Sequence, residues 1–348
     1  MIMINLEKEI REQPEALARV LDINLDTIRE VVAKAKATGV KSVYFAARGT
    51  SDHACVYAQY LFGILAGIPC TLGTPSVFTK YGAHVDLSGM LVVGVSQSGK
   101  AEDVLAVLES AKADGAITVA VTNNTESPMA KCADYHLFCG CGLESSIAAT
   151  KTFTTQKMIL GAMAAVWAGD EAMIEAFRGV SAKAQELLDT KFDDIMKFAD
   201  KYQNIPGAVL LGRGVSYCIA LEGALKMLET NKLKMKGYPT SDFHHGPIAQ
   251  LKAGDLVFVI NPTGKTEDDS AEICKKLLNV GADVVVVTDD ASLAPEGTTA
   301  FVLPNTGSEL TFTYMAAMFF QLVACCMTIV RGIDPDKAGV INKITITK

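Results

Sequence analysis

Several sequence features that mark common classes of protein function are missing from this chain, and each absence argues against one class. Basic residues are in the minority, with 32 Lys and Arg against 39 Asp and Glu and a net charge of −7. This balance argues against nucleic acid or an anionic membrane as a partner. The patterns GxxxxGK(S/T) and GxGxxG do not occur, which disfavours a nucleoside triphosphate or dinucleotide site.

Zinc-finger, disulfide and export signals are also missing. The nine cysteines include no CxxC pair, so we expect free thiols in a reducing compartment. Residues 1–14 are charged and helix-like and do not form a signal peptide. The sequence therefore predicts a cytoplasmic protein with no membrane partner.

An internal duplication is the strongest positive feature. The segment around Arg48 resembles the segment around Arg213, and the segment around Gly99 resembles that around Gly264, at an offset of 165 residues in both cases. A third match, between 115–122 and 281–288, has nearly the same offset. Three matches in the same order predict two copies of one structural unit.

Each copy alternates apolar, β-rich runs with helix-length segments. Continuously apolar runs are typical of parallel strands that are covered on both faces. The fold class that this predicts is α/β, with two tandem doubly wound parallel-sheet domains related by duplication. The predicted strands are 42–47, 90–95, 117–122 and 135–139 in the first copy, and 208–212, 256–260, 283–288 and 300–304 in the second.

The predicted domain boundaries follow this pattern. We expect an N-terminal helical segment at 1–30, a first domain at 31–168, a helical connector at 169–202, a second domain at 203–333 and a C-terminal tail at 334–348.

One segment, 310–330, is uncharged and long enough to cross a membrane. Its threonines and glutamine favour a helix that is buried or faces another subunit. Phe319, Phe320 and Leu322 are candidate interface anchors, so we expect a homodimer or higher homo-oligomer.

Two loops of the first copy can bind an anion. Sequences RGTS at 48–51 and SQSG at 96–99 each follow a predicted strand and precede a predicted helix. Hydroxyls and backbone N–H groups beside a helix N-terminus bind phosphate without a formal positive charge. The alternative is that these small polar residues only cap the helices.

The second copy has a different set of polar groups. Its equivalent loop contains Pro262, which removes a donor N–H. Glu222, Lys226 and Glu229 share one helix face, and His245 precedes a Gly-Pro turn. These residues are candidates for catalysis, although such features, taken alone, are more often a solvated ion pair and ordinary loop histidines.

Five short motifs follow one another along the chain: GTS at 49–51, SQSG at 96–99, AATKTFT at 148–154, EGALK at 222–226 and HGP at 245–247. In these motifs and their order, the chain resembles the sugar isomerase (SIS) domain family. Within this family, the resemblance is strongest to the isomerase half of glucosamine-6-phosphate synthase and to stand-alone SIS-type glucosamine-6-phosphate deaminases and phosphosugar isomerases.

The resemblance implies a substrate-phosphate site in the first copy, built from Thr50, Ser51, Ser96, Gln97, Ser98 and the backbone at Ala101. It also implies that Glu144 and Ile147 line the sugar.

For catalysis, the resemblance implies four residues. Glu229 matches the base for enolisation and Lys226 the lysine one turn before it. His245 matches the ring-opening histidine, and Lys343 matches a lysine of a tail that closes over the substrate.

Three residues depart from the synthase pattern. Ala101 replaces a threonine, Lys100 replaces an acidic residue, and Arg48 replaces a cysteine. A glutaminase domain does not precede the first unit in this sequence, so glutamine-dependent synthesis is not expected.

The implied activity is aldose–ketose isomerisation of a 6-phosphorylated sugar or amino sugar, with release of ammonia in the deaminase case. One base that moves a proton between adjacent carbons suffices, so neither a metal nor another cofactor is expected. The expected partners are a sugar phosphate and further copies of the chain with shared active sites. Two alternatives remain open: a deglycase for fructosamine 6-phosphates, and a non-catalytic protein that senses sugar phosphates.

Overall fold

The computed structural model describes residues 4–337 and Lys343 and contains two compact units. The first unit comprises Glu15–Glu144, Lys151–Arg178 and Lys343. The second comprises residues 4–14, Ser145–Thr150 and 179–337. Most of the predicted tail 334–348 lies outside the described residues.

The helices and strands follow the predicted alternation closely. The helices are α1 (Asn5–Arg11), α2 (Gln13–Ala37), α3 (Thr50–Leu61), α4 (Ser76–Thr79), α5 (Glu102–Ala113), α6 (Pro128–Cys132), α7 (Lys151–Ala168), α8 (Glu171–Tyr202), α9 (Tyr217–Asn231), α10 (Thr240–Phe243), α11 (Glu267–Val280) and α12 (Glu309–Val330). The strands are β1 (Val43–Ala46), β2 (Cys70–Leu72), β3 (Leu91–Ser96), β4 (Ile117–Thr122), β5 (Tyr135–Phe138), β6 (Gly207–Gly212), β7 (Lys234–Pro239), β8 (Leu256–Ile260), β9 (Asp283–Thr288) and β10 (Thr299–Val302).

The first unit is built around a parallel sheet with the strand order β2-β1-β3-β4-β5. Strands β1 and β3 are buried along their whole length, as their mainly apolar sequences predict. Strand order reverses between β1 and β3, and in such sheets ligands bind beyond the carboxyl ends of the strands at this point.

The second unit repeats this topology with β7-β6-β8-β9-β10, which places each strand at the position of its counterpart. The register is also repeated. Val43 pairs with Leu91 in the first sheet, and Ala208 pairs with Leu256 in the second, so both partners are offset by 165 residues. The predicted duplication and the doubly wound α/β fold are confirmed.

The sequence interpretation missed one strand in each sheet, β2 and β7. Both pair on one side only, to β1 and β6. Strand β2 has three residues, and β7 contains two lysines, Gly237 and Pro239. Because strand-forming residues are sparse in these short segments, neither produced a recognisable apolar run.

Helix α12 is long and apolar enough to cross a membrane by length and composition alone, but 89% of its apolar window is buried. It is a core helix of the second unit. Phe319, Phe320 and Leu322 are each at most 1% exposed within the single chain. The prediction that they anchor a subunit interface is therefore wrong, because their surfaces are already covered. All nine cysteines are free thiols, as expected.

Candidate active site

The loop after β3 has the geometry of an anion-binding loop. Gly99 has a φ of +63°, a conformation that favours glycine, and a Cβ atom there would lie 2.2 Å from the Ser127 hydroxyl. The backbone N–H of Gly99 donates to the Ser96 hydroxyl at 3.2 Å, and Asn123 N–H donates to the Gln97 carbonyl at 3.0 Å. These contacts hold the loop in a fixed shape.

Several donors of this loop remain available for a ligand. Among the described residues, the backbone N–H groups of Gln97 and Ser98 have no acceptor. Helix α5 begins immediately afterwards, and its N-cap Ala101 supplies no side-chain oxygen. The loop therefore offers a helix N-terminus and uncapped donors to an anion.

The second anion-loop candidate follows β1 and lies next to the first in the sheet, since Ala46 pairs with Gly94. Gly49 has a φ of +56°, and helix α3 begins at Thr50. Arg48 Nε donates to Asp103 Oδ2 at 2.7 Å, which joins the start of this loop to the first turn of α5. The five predicted phosphate residues of the first copy and Ala101 are thus placed on two neighbouring loops of one sheet edge.

The equivalent loop of the second unit is occupied by the chain's own carboxylates. Thr263 N–H donates to Asp289 Oδ1 at 2.7 Å, and Gly264 N–H donates to Glu267 Oε2 at 2.9 Å. Lys265 N–H donates to Glu309 Oε1 at 3.3 Å. An incoming phosphate would meet three negative charges on the donors that it needs.

The predicted helix face on α9 forms a charged triad in the second unit. Lys226 is 1% exposed, and its Nζ lies 2.7 Å from Glu229 Oε2 and 3.2 Å from Glu222 Oε1. Burial alone lowers the pKa of Lys226, but the carboxylates of Glu222 and Glu229 outweigh it and hold this pKa above its ordinary value. Lys226 is therefore protonated and orients Glu229, whose side chain remains 22% exposed.

His245 lies in an exposed turn after α10 of the second unit, where its backbone N–H donates to the Asp242 carbonyl at 3.0 Å. The neighbouring His244 is engaged differently, because its Nδ1 lies 3.1 Å from Lys276 Nζ. Of the two adjacent histidines, His245 is the more accessible to a ligand.

The structure brings together Glu144 and Lys343 of the first unit. Lys343 Nζ lies 3.0 Å from Glu144 Oε2, and the same carboxylate accepts from the Thr152 hydroxyl at 2.7 Å and the Thr152 N–H at 3.1 Å. Glu144 thus caps the N-terminus of α7 as well as pairing with the lysine. Ile147 is half-buried in the second unit.

Sequence reasoning missed the residues that shape the loops from a distance. Asp103 was not singled out, and neither Asp289 nor Glu309 was recognised as a loop partner. A signal was available for one of them, because an Arg–Asp pair recurs in both copies: Arg213 Nε donates to Asp269 Oδ2 at 2.5 Å.

Comparison with known families identifies the chain. The profile of the SIS domain matches residues 38–166 and 202–331, one match for each sheet. The chain therefore belongs to the SIS domain family, with two copies of the domain.

Two relatives indicate where in this family the chain lies. It is 31% identical to the glutamine–fructose-6-phosphate aminotransferase (isomerizing) of Caldanaerobacter subterraneus over 95% of this chain and 57% of that protein. The chain spans little more than half the length of such curated relatives. A solved structure from Silicibacter pomeroyi, named as a proposed phosphosugar isomerase, is 31% identical with a TM-score of 0.86 and covers 96% of this chain and 100% of that one.

A further solved structure shares the fold. The glucosamine-6-phosphate deaminase of Thermotoga maritima has a TM-score of 0.79 over 99% of this chain and all of that one, at 24% identity. The comparisons thus support the phosphosugar isomerase family as the class of this protein. No group of three or more His, Cys, Asp or Glu residues within the described part of the chain could hold a metal ion.

Proposed function

We propose that this protein is an isomerase and deaminase of a 6-phosphorylated amino sugar, which converts glucosamine 6-phosphate to fructose 6-phosphate and ammonia. The observation that carries the proposal is the Glu222–Lys226–Glu229 triad on α9. A buried, charged lysine that holds one partly exposed carboxylate is suited to fix the position of that carboxylate, as a carbon-proton base requires.

The proposed reaction begins with ring opening, in which His245 transfers the proton from the C1 hydroxyl to the ring oxygen. An imidazole suits this step because its ordinary pKa lies near neutrality. Glu229 then takes the proton from C2 of the open-chain aldehyde while O1 gains a proton, which gives an enolamine. Glu229 delivers its proton to C1 as the nitrogen loses one, which gives an imine at C2. Water adds to the resulting C2 imine, and loss of ammonia gives the ketose phosphate.

The two units receive different tasks in this proposal. The loops with Thr50, Ser51 and 96–98 bind the phosphate, and α9 supplies the base. Lys226 acts as a positioning residue for Glu229, and Lys343 is held by Glu144. A cytoplasmic location remains a prediction.

The experiment that tests the function is a substrate screen. Purified protein is incubated with glucosamine 6-phosphate or with fructose-lysine 6-phosphate, and ammonia, lysine and the sugar phosphate product are quantified. Ammonia with fructose 6-phosphate supports the deaminase, and lysine release supports the deglycase. Saturable binding of both compounds without turnover would support a sensor and contradict the enzyme.

We also propose that the active protein is a homodimer or higher oligomer in which His245 serves a neighbouring subunit. The exposure of His245 supports this arrangement. Mixing Glu229→Gln and His245→Ala subunits should restore part of the activity in hybrids, whereas a fully active monomer in sedimentation would rule the arrangement out.

A further inference from the structure

We propose that Arg48 is an additional phosphate-binding residue of the first unit, which supplies a formal positive charge to the loops 48–51 and 96–101. The inference rests on the proposed function, which assigns the substrate phosphate to these loops. It adds a guanidinium group to a set of proposed ligands that otherwise consists of hydroxyl and backbone N–H groups.

The position of Arg48 connects the two loops. It immediately precedes Gly49, and its Nε donates to Asp103, the second residue of α5. Because β1 and β3 are neighbours in the sheet, both loops leave the same edge side by side. The Arg48–Asp103 ion pair spans the edge at which the anion would bind.

The guanidinium of Arg48 is fixed on one side and open on the other. Asp103 is 3% exposed, and its second carboxylate oxygen accepts the Val104 N–H at 2.9 Å, so the carboxylate is held in place. Arg48 makes this contact through its Nε alone, and its side chain is 45% exposed. Its two terminal nitrogens make no hydrogen bond to a described residue. A planar pair of free donors matches the geometry of a phosphate.

Carboxylates near the two loops make a positive charge favourable for phosphate binding. Asp52 and Asp103 lie in the first turns of α3 and α5, where their carboxylates would repel a phosphate. Burial raises the pKa of Asp52, and the charges of His53 and Arg48 act against that shift. The charge of Arg48 therefore acts on Asp52 as well as on its ion-pair partner Asp103.

The second unit provides an internal control. Arg213 makes the same Nε contact to Asp269, and its side chain is 40% exposed. The adjoining loop donors, however, are occupied by Asp289, Glu267 and Glu309. Arg213 therefore has the pairing of Arg48 without an open anion loop.

The test compares Arg48→Gln with Arg213→Gln by calorimetric titration of the full-length protein with inorganic phosphate. Loss of a charged contact should weaken phosphate binding by roughly 10- to 100-fold in Arg48→Gln. Arg213→Gln should bind phosphate as the wild type does. Unchanged affinity in Arg48→Gln would overturn the inference.

A double variant distinguishes phosphate binding by Arg48 from a role in which Arg48 only stabilises the buried Asp103. Arg48→Gln leaves Asp103 buried and unpaired, whereas Arg48→Gln/Asp103→Asn removes that uncompensated charge. The affinity loss should persist in the double variant, and recovery of affinity would show that Arg48 serves only Asp103. A wild-type protein that binds phosphate but leaves glucosamine 6-phosphate unchanged would defeat the proposed function and not this inference. A wild-type protein that binds no phosphate would defeat both.

Discussion

The loops 96–101 and 261–266 occupy the same position in two sheets of identical strand order and register, yet only one is open to an anion. Gln97 in the first loop is replaced by Pro262 in the second, which removes one N–H. Asn123 after β4 corresponds to Asp289 after β9, and this aspartate takes the N–H of Thr263. A few side chains thus decide whether the backbone donors of a duplicated loop remain available or are taken by the chain's own carboxylates.

The helices that follow β1 and β6 differ in the opposite sense, because the charged residues of the triad are on α9 of the second copy and have no counterpart on α3 of the first. At the offset of 165 residues, Lys226 and Glu229 of α9 correspond to Leu61 at the end of α3 and to Ile64 beyond it. The first copy therefore has the open loop without the charged helix face, and the second copy has the charged helix face without the open loop.

The largest effect should come from removing the base. Glu229→Gln preserves size and hydrogen bonding but cannot accept the carbon-bound proton, so kcat should fall about 10²- to 10⁴-fold with little change in KM. Solvent-deuterium incorporation at the sugar carbon measures this step directly. The exposed carboxylate Glu296 provides the control variant Glu296→Gln, which should be fully active. A folded Glu229→Gln protein with wild-type exchange would exclude Glu229 as the base.

The sequence was sufficient to predict most of this fold because the central strands are long, apolar and buried on both faces. Valine-rich runs such as 91–95 and 283–288 leave little alternative to a covered parallel strand. The edge strands β2 and β7 were missed because their pairing depends on the neighbouring strand more than on their own residues.

Local sequence patterns indicated only candidate site residues that lie close together in sequence, and Glu144 and Lys343 were reached through the family resemblance. The hydroxyls of 96–98 and the face shared by Lys226 and Glu229 follow from local spacing. The carboxylates that close the second loop come from afar, since Asp289 is 26 residues from Thr263 and Glu309 is 44 residues from Lys265. Such contacts depend on tertiary packing, which the local pattern does not encode.

The next largest effect concerns the lysine that distinguishes α9 from α3. Lys226→Met removes the ammonium group that pairs with the buried Glu222 and should lower the free energy of unfolding by about 3–5 kcal/mol. The double variant Glu222→Gln/Lys226→Met should recover part of this loss, because the buried carboxylate that Lys226 stabilises is removed as well. Equal stability of the single variant and the wild type in urea would show that the triad is not coupled.

The same lysine gives a pH signature. Its pKa is raised in the folded protein, so its contribution to stability is complete below the pKa of an unfolded lysine, about 10.4, and is lost as the pH rises toward the folded-state pKa. The free energy of unfolding of the wild type should therefore decline above about pH 10.4. Lys226→Met should decline less steeply over this range, and parallel curves would contradict the assignment.

A smaller effect separates the two loops directly. Ser98→Ala removes a hydroxyl from the open loop and should weaken binding of phosphate or sugar phosphate by about 1.5–3 kcal/mol, the contribution of a hydrogen bond to a charged group. Thr263→Ala makes the matched change in the closed loop and should leave affinity unaltered. The assignment of phosphate to the first copy would be wrong if Thr263→Ala weakened binding while Ser98→Ala did not.

The smallest expected effect is the partial opening of the second loop. In Asp289→Asn/Glu309→Gln, neutral amides replace two of the carboxylates on this loop, so a phosphate no longer meets their charges. Equilibrium dialysis with labelled phosphate should then detect a second site, at least about tenfold weaker than the first because Pro262 still lacks a donor and Glu267 still occupies the N–H of Gly264. The control Asp193→Asn/Glu296→Gln makes the same change of charge at two exposed carboxylates and should bind as the wild type does. If both double variants bind the same amount of phosphate, the carboxylates do not close the loop, and the loss of the Pro262 donor must account for the difference between the copies.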